Sequence, residues 1–116
     1  MPLLDTAGLP RAHLRTVLLL LLSAASSHGY DLLEEARHLG LRTAEAAGVY
    51  RTLRILEHED LVTSWWEPSQ SGPARRTYSI TPAGELALAE GIQDLEGLRR
   101  ALNHVLTNYR NLNRDT

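Results

Sequence analysis

Two adjacent arginines, Arg75 and Arg76, stand in the stretch SGPARRTYSITPAG, between a Ser-Gly-Pro turn and an alternating run. A guanidinium presents a planar fork of N–H donors that matches the oxygens of a phosphate or a carboxylate, so a pair beside a turn is suited to anion recognition. Two more, Arg51 and Arg54, stand three residues apart in GVYRTLRILEH. The chain has no lysine: its 12 basic side chains are all arginine, against 14 acids and a formal charge of −2. That balance does not exclude a polyanionic partner, because at physiological salt charges are screened beyond about 8 Å and the nearest patch outweighs the total.

Other chemistries find little support. His13, His28, His38, His58 and His104 show no i, i+3 or i, i+4 pair, and the chain has no cysteine, so metal-ligand spacing is absent and no metal or cofactor is expected. No Ser-His-Asp grouping, glycine-rich phosphate loop or paired carboxylate stands out, and Glu34 and Glu35 read as a solvated helix face. The expectation is not an enzyme.

The elements that must hold these arginines are legible in the hydrophobic pattern. A length of 116 residues suits one domain with its own core. The run Val17 to Leu22 is too short to span a bilayer, which takes about 18 to 20 residues, and it lacks a basic n-region and a cleavage site, with Asp5 ahead of it and Arg11, His13 and Arg15 immediately before the run. It reads as a buried helix opened by Pro10, in a cytoplasmic protein with no membrane partner. Ser26 or Ser27 is placed to cap a second helix, YDLLEEARHLG, with Leu32, Leu33, Ala36 and Leu39 on one side and Gly40 as its stop. A third helix is expected from Thr43 as N-cap, although Ala46 leaves the capping box incomplete. At about 100° per residue, Val49, Leu53 and Leu56 form its core stripe, while Ala47, Arg51, Arg54 and His58 face away.

LVTSWWE and RRTYSI predict a two-stranded hairpin with a Gly-Pro loop between them. Alternation sends Arg75 and Arg76 to opposite faces, and puts one of Trp65 and Trp66 toward the core. Thr81-Pro82 reads as an N-cap with proline at the first position of a helix of about 30 residues. Along that helix Leu88, Gly91, Leu95, Leu98, Leu102, Val105, Tyr109 and Leu112 step by alternating threes and fours, widened by Ile92 and Leu106. This is a heptad seam that so small a domain cannot cover, so a homodimer is expected through Leu88, Ile92, Leu95, Leu98, Leu102, Val105, Leu106 and Tyr109.

Three helices followed by a hairpin is the plan of a winged helix-turn-helix, in which the helix before the hairpin enters a DNA major groove and the wing follows the backbone. The fold expected is mainly α with a small β-hairpin: an N-terminal arm (residues 1–10), a winged helix-turn-helix (11–81) and a C-terminal dimerisation helix with its tail (82–116). HGYDLLEEARHLG, GVYRTLRILEHEDLV and WEPSQSGPARRTYSITPAGE, with the single C-terminal helix, resemble the PadR family of bacterial transcriptional regulators over about residues 12 to 112. The resemblance implies a dimeric repressor of an imperfect palindrome in double-stranded DNA, often released by a small-molecule inducer or a stress signal. By position, Tyr50 and Arg51 match the family's recognition helix, Gly72, Arg75 and Arg76 its wing, His28, Gly29 and Tyr30 the start of its preceding helix, and Trp66 its usual tryptophan. The expected DNA-binding set is therefore His28, Tyr30, Thr43, Ala47, Tyr50, Arg51, Arg54, Gly72, Arg75 and Arg76. Two departures stand out. Gly48 replaces the hydroxyl residue common before the recognition-helix motif, and the C-terminal helix carries Tyr109 where drug-binding members use tryptophan. A winged helix that meets an acidic protein partner is the alternative reading.

Overall fold

In the computed structural model of the chain, which describes residues 8–69 and 71–114, the leucine run forms the heart of helix α1 (Leu14–Ala24), entered through a 3-10 turn at Arg11–His13. The expected arm lies outside the described residues up to residue 7. Leu14, Val17, Leu18, Leu19 and Leu22 are buried, and Leu20 faces outward. Full burial of a leucine stabilises by roughly 1.5–3 kcal/mol, so α1 anchors the core. Strand β1 (Ser27–His28), helix α2 (Gly29–His38), helix α3 (Ala46–His58), strands β2 (Val62–Glu67) and β3 (Arg75–Ile80) and helix α4 (Pro82–Arg114) follow.

Helix α2 buries Leu32, Leu33 and Ala36, as its spacing predicts. Leu39 does not join them: it is exposed, because the helix ends at His38 and the chain turns through Gly40 at φ 126°. Helix α3 begins two residues later than expected. Thr43 is an exposed turn residue, and Glu45 occupies the cap position without a side-chain cap. Burial explains the delay. Leu41 and Ala44 are both packed into the core, the Ala44 amide donates to the Leu41 carbonyl at 3.1 Å, and Arg37 Nε donates to the Ala44 carbonyl at 2.9 Å, so the segment is held as a turn before the helix can start.

The serines proposed as caps behave differently too. Ser27 and His28 pair with Tyr78 and Thr77 as an antiparallel edge strand, which makes the sheet three-stranded, ordered β1-β3-β2, where two strands were expected. His28 then takes the N-cap position of α2 in extended conformation, with no side-chain cap. The hairpin runs in register from Val62 opposite Ile80 to Glu67 opposite Arg75. Val62 and Tyr78 are buried, whereas Trp65 and Trp66 are both exposed. The expectation that one tryptophan would face the core fails: Trp66 stands on the face turned to α3 but at the open side of a cleft, and Trp65, opposite Thr77, is also left exposed.

Helix α4 starts as its Thr-Pro signal predicts: the Thr81 hydroxyl accepts from the Gly84 amide at 3.0 Å and donates to the Asp60 carbonyl at 2.7 Å. Its first turns pack within the chain. Leu88 is buried in the chain's own core, Ile92 packs against that core, and Gly91 abuts Thr16 of α1 so closely that an added Cβ would lie 2.3 Å from the Thr16 hydroxyl. Beyond them the seam is bare: Leu98, Leu102, Val105, Leu106, Tyr109 and Leu112 are all exposed. Of the expected seam only Leu88 is fully taken into the chain's own core, while Ile92 and Leu95 are half-buried side by side along one open hollow. Among the described residues no helix is long and apolar enough to cross a membrane.

Candidate nucleic-acid interface

Helix α3 buries Val49, Leu53 and Leu56 and leaves Ala47, Tyr50, Arg51, Arg54 and His58 exposed, in agreement with its periodicity. It stands between two hollows. On one side Arg51, Ala47 and Gly48 border a cavity of about 340 Å³, shared with Arg11 from the 3-10 turn that leads into α1. On the other, Tyr50, Arg54 and Glu57 form one wall of a cleft of about 470 Å³ whose opposite wall is Trp66, Arg76 and Tyr78 from the hairpin. The two arginines of α3 therefore serve different hollows, and the wing meets only the second.

The hairpin register sorts the paired arginines. Ser64, Trp66, Arg76 and Tyr78 share the face turned to α3, because Ser64 pairs with Tyr78 and Trp66 with Arg76. Arg76 Nε donates to Ser64 Oγ at 2.9 Å, its Nη2 lies 3.6 Å from Glu57 Oε1, and its guanidinium carbon sits 5.5 Å from the centre of the Trp66 ring, within cation–π range. Arg75 is on the other face, with Nη1 3.1 Å from His28 Nε2; that same nitrogen lies 3.2 Å from Asp31 Oδ2. Burial pushes the Tyr78 hydroxyl above its ordinary range, against the opposing charge and hydrogen bond of Arg76 and with further upward contributions from Glu57 and Tyr50.

Three groups emerge from the sequence-predicted residues. Tyr50, Arg54 and Arg76 meet at the cleft. Arg75 joins His28 at the start of α2, where Tyr30 is exposed beside them. Ala47 and Arg51 border the other hollow. Thr43 and Gly72 are exposed and join none of these groups; Gly72 lies in the wing loop with no atom within 4 Å of where a Cβ would be. Tyr50 has a second role that its spacing does not reveal. Its ring covers Gly29, where a Cβ would lie 2.3 Å from Tyr50 Cε1, so the HGY and VYR segments interlock.

Sequence reasoning missed Arg11, Glu57 and Ser64. Glu57 shares the helical face of Tyr50 and Arg54 at i+7 and i+3, a spacing visible in the sequence. Its pairing with the wing depends on the hairpin register and is not visible there.

Gly48 is open: the nearest atom to an added Cβ is Arg51 Nη2 at 3.9 Å. Gly48→Ala is expected to stabilise the protein by about 0.5–1 kcal/mol through helix propensity alone. Thermal unfolding followed by circular dichroism should show a midpoint raised by a few degrees, roughly 4 °C per kcal/mol for a chain of this size.

The sequence profile of the transcriptional regulator PadR-like family matches residues 17–90. The transcriptional regulator Rv3488 of Mycobacterium tuberculosis (strain ATCC 25618 / H37Rv) is 40% identical over 73 residues, a match that takes in 63% of this chain and 66% of that relative, a little under two thirds of its length. Among solved structures, a PadR-like transcriptional regulator from Bacillus cereus strain ATCC 14579 is similar with a TM-score of 0.70 and 26% identity, over 80% of this chain and 90% of that one. A PadR family transcription regulator from Clostridium difficile R20291 shares the fold, with a TM-score of 0.71 at 21% identity over 81% of this chain and 98% of its own. The core elements from α1 through the first turns of α4 thus carry the family's pattern, and this chain belongs to the PadR-like family of transcriptional regulators.

Proposed function

We propose that the chain is a homodimeric repressor that binds a palindromic operator in double-stranded DNA in the cytoplasm and is released by a small-molecule or stress signal. Family membership implies DNA binding. The observation that carries the geometry is the cleft whose two walls, α3 and the wing, bring Arg54 and Arg76 to face one ligand. In this reading residues 1–10 are an arm, residues 11–81 the DNA-binding unit, and residues 82–116 join two copies. Each α3 enters a major-groove half-site, and the paired α4 helices set the separation of the half-sites at about 34–36 Å or a multiple of it. Arg51 reads bases, with guanine the favoured partner of its fork, assisted by Tyr50, Arg54 and Ala47. Arg75 and Arg76, with His28, Tyr30, Thr43 and the loop at Gly72, hold phosphates.

The test is a titration of the purified protein into a labelled duplex from upstream of its own gene, at two salt concentrations, with a scrambled duplex as competitor. Saturation at one dimer per site, with strong salt dependence, is expected. Binding no tighter than to the scrambled duplex, for this and for every fragment recovered in a genome-wide DNA pull-down, would favour an interaction module instead. Among variants, Arg51→Ala should narrow the gap between operator and scrambled DNA by roughly tenfold, the value of a good bidentate base contact. Arg76→Ala should weaken both duplexes equally and lower the salt slope by about one phosphate equivalent.

A further inference from the structure

We infer that Glu57, acting through Ser64, is a positioning residue that presents the Arg76 guanidinium to a DNA phosphate; this rests on the reading that DNA enters between α3 and the wing. Ser64 Oγ donates to Glu57 Oε2 at 2.6 Å. With its single proton committed to the carboxylate, the hydroxyl offers Arg76 a lone pair, and Arg76 Nε donates to it at 2.9 Å. The three groups come from α3, β2 and β3, so the chain of hydrogen bonds ties the recognition helix to both strands of the wing. Trp66 covers the guanidinium from the outside at 5.5 Å.

The alternative role for Glu57 is a competitor that holds Arg76 away from DNA, and the order of the distances favours the positioning role. Arg76 Nη2 and Glu57 Oε1 are 3.6 Å apart, well beyond the roughly 2.7–2.9 Å of a charge-assisted hydrogen bond. The close contact of Glu57 is with Ser64, and that of Arg76 is also with Ser64. Glu57 therefore orients the fork chiefly through the hydroxyl, its own carboxylate staying at ion-pair distance from Nη2, and Arg76 lines the cleft opposite Arg54. An arginine on an exposed strand otherwise loses considerable side-chain freedom on binding. Here that ordering is already present in the free protein.

The geometry separates charge from hydrogen bonding. In Glu57→Gln the amide oxygen still accepts the Ser64 proton, so Arg76 stays in place, whereas Glu57→Ala and Ser64→Ala each break the chain. Operator affinity and salt slope would be measured for these three variants beside the parent, Arg76→Ala and the double variant Glu57→Ala/Arg76→Ala, each in the full-length protein. Glu57→Ala and Ser64→Ala are expected to bind roughly tenfold more weakly with the slope lowered by about one, as for Arg76→Ala, while Glu57→Gln stays within about threefold of the parent. The double variant should be no weaker than Arg76→Ala. In a Trp65→Phe background, Trp66 emission should shift on Glu57→Ala without DNA present, as the guanidinium leaves its ring.

Ser64→Ala answers the same question if Glu57→Ala does not fold. Binding by Glu57→Ala as tight as the parent's or tighter would make Glu57 a competitor and overturn the inference. So would a loss that leaves the slope unchanged and adds fully to that of Arg76→Ala. If Arg76→Ala itself changes neither affinity nor slope, the DNA reading of this cleft fails and the positioning role fails with it; if only Glu57→Ala is silent, that reading stands and the positioning role alone is lost.

Discussion

Leu102→Glu combined with Leu106→Glu is expected to convert the protein from dimer to monomer at micromolar concentration and to weaken operator binding by at least roughly 100-fold. Both leucines are exposed on α4, so the substitutions remove nothing from the chain's own core. Their cost arises only if a second helix lies against them, where two carboxylates would be buried without partners. The affinity loss follows from linkage: joining two DNA-binding units makes the second contact intramolecular, which commonly contributes 10²- to 10⁴-fold. Sedimentation equilibrium checks the assembly and the operator titration checks the consequence. A variant that remains dimeric would place the interface elsewhere than this seam. Leu88 and Ile92 do not offer the same clean test, because they pack within their own chain.

Gly84→Ala is expected to be the most damaging single-methyl addition, costing about 3 kcal/mol and lowering the thermal midpoint by roughly 12 °C. An ideal Cβ at Gly84 would lie 2.1 Å from the Leu61 carbonyl oxygen and 2.6 Å from Ile80 Cγ1. The first neighbour is backbone and cannot rotate away. That carbonyl is moreover held by the Thr81 amide at 3.0 Å, and Thr81 in turn bonds both Asp60 and Gly84, so the start of α4 is fastened to the turn that follows α3. Relief requires the whole helix to shift, which would also disturb the contact of Gly91 with Thr16. Circular dichroism melts of Gly84→Ala and Gly48→Ala side by side make the comparison: the same added methyl group should lower one midpoint and raise the other. A fall of less than about 3 °C for Gly84→Ala would show that the helix start can slide.

The residues of TPAG illustrate how far a local signal reaches. Thr81 and Pro82 could be read as a helix start because a cap acts within one turn, and the hydrogen bond from the Gly84 amide to Thr81 is that signal realised. The need for glycine two residues after Pro82 could not be read, since its neighbour Leu61 lies beyond the hairpin in sequence. The core stripe of α3 and the six-residue strands were legible for the same reason: 3.6- and 2-residue periods are properties of adjacent positions. The opposed faces of Arg75 and Arg76 followed from the second of these periods.

What stayed hidden has a common cause. Thr43 resembles a cap more than Glu45 does, yet α3 starts at Ala46 because Leu41 and Ala44 must reach the core first. Ser27 is an ordinary cap residue type, yet with His28 it became a strand because β3 had a free edge beside them. The exposed tryptophans, the Gly29–Tyr50 contact and the Glu57–Ser64–Arg76 chain likewise depend on which distant segment lies opposite. Periodicity, capping chemistry and the arginine-rich motifs were enough to specify the elements, the family resemblance and the face of α3 that meets solvent. Packing then settled where α3 begins, how many strands the sheet has and which acid steadies the wing arginine, because each of those outcomes depends on contacts between residues that the chain order keeps apart.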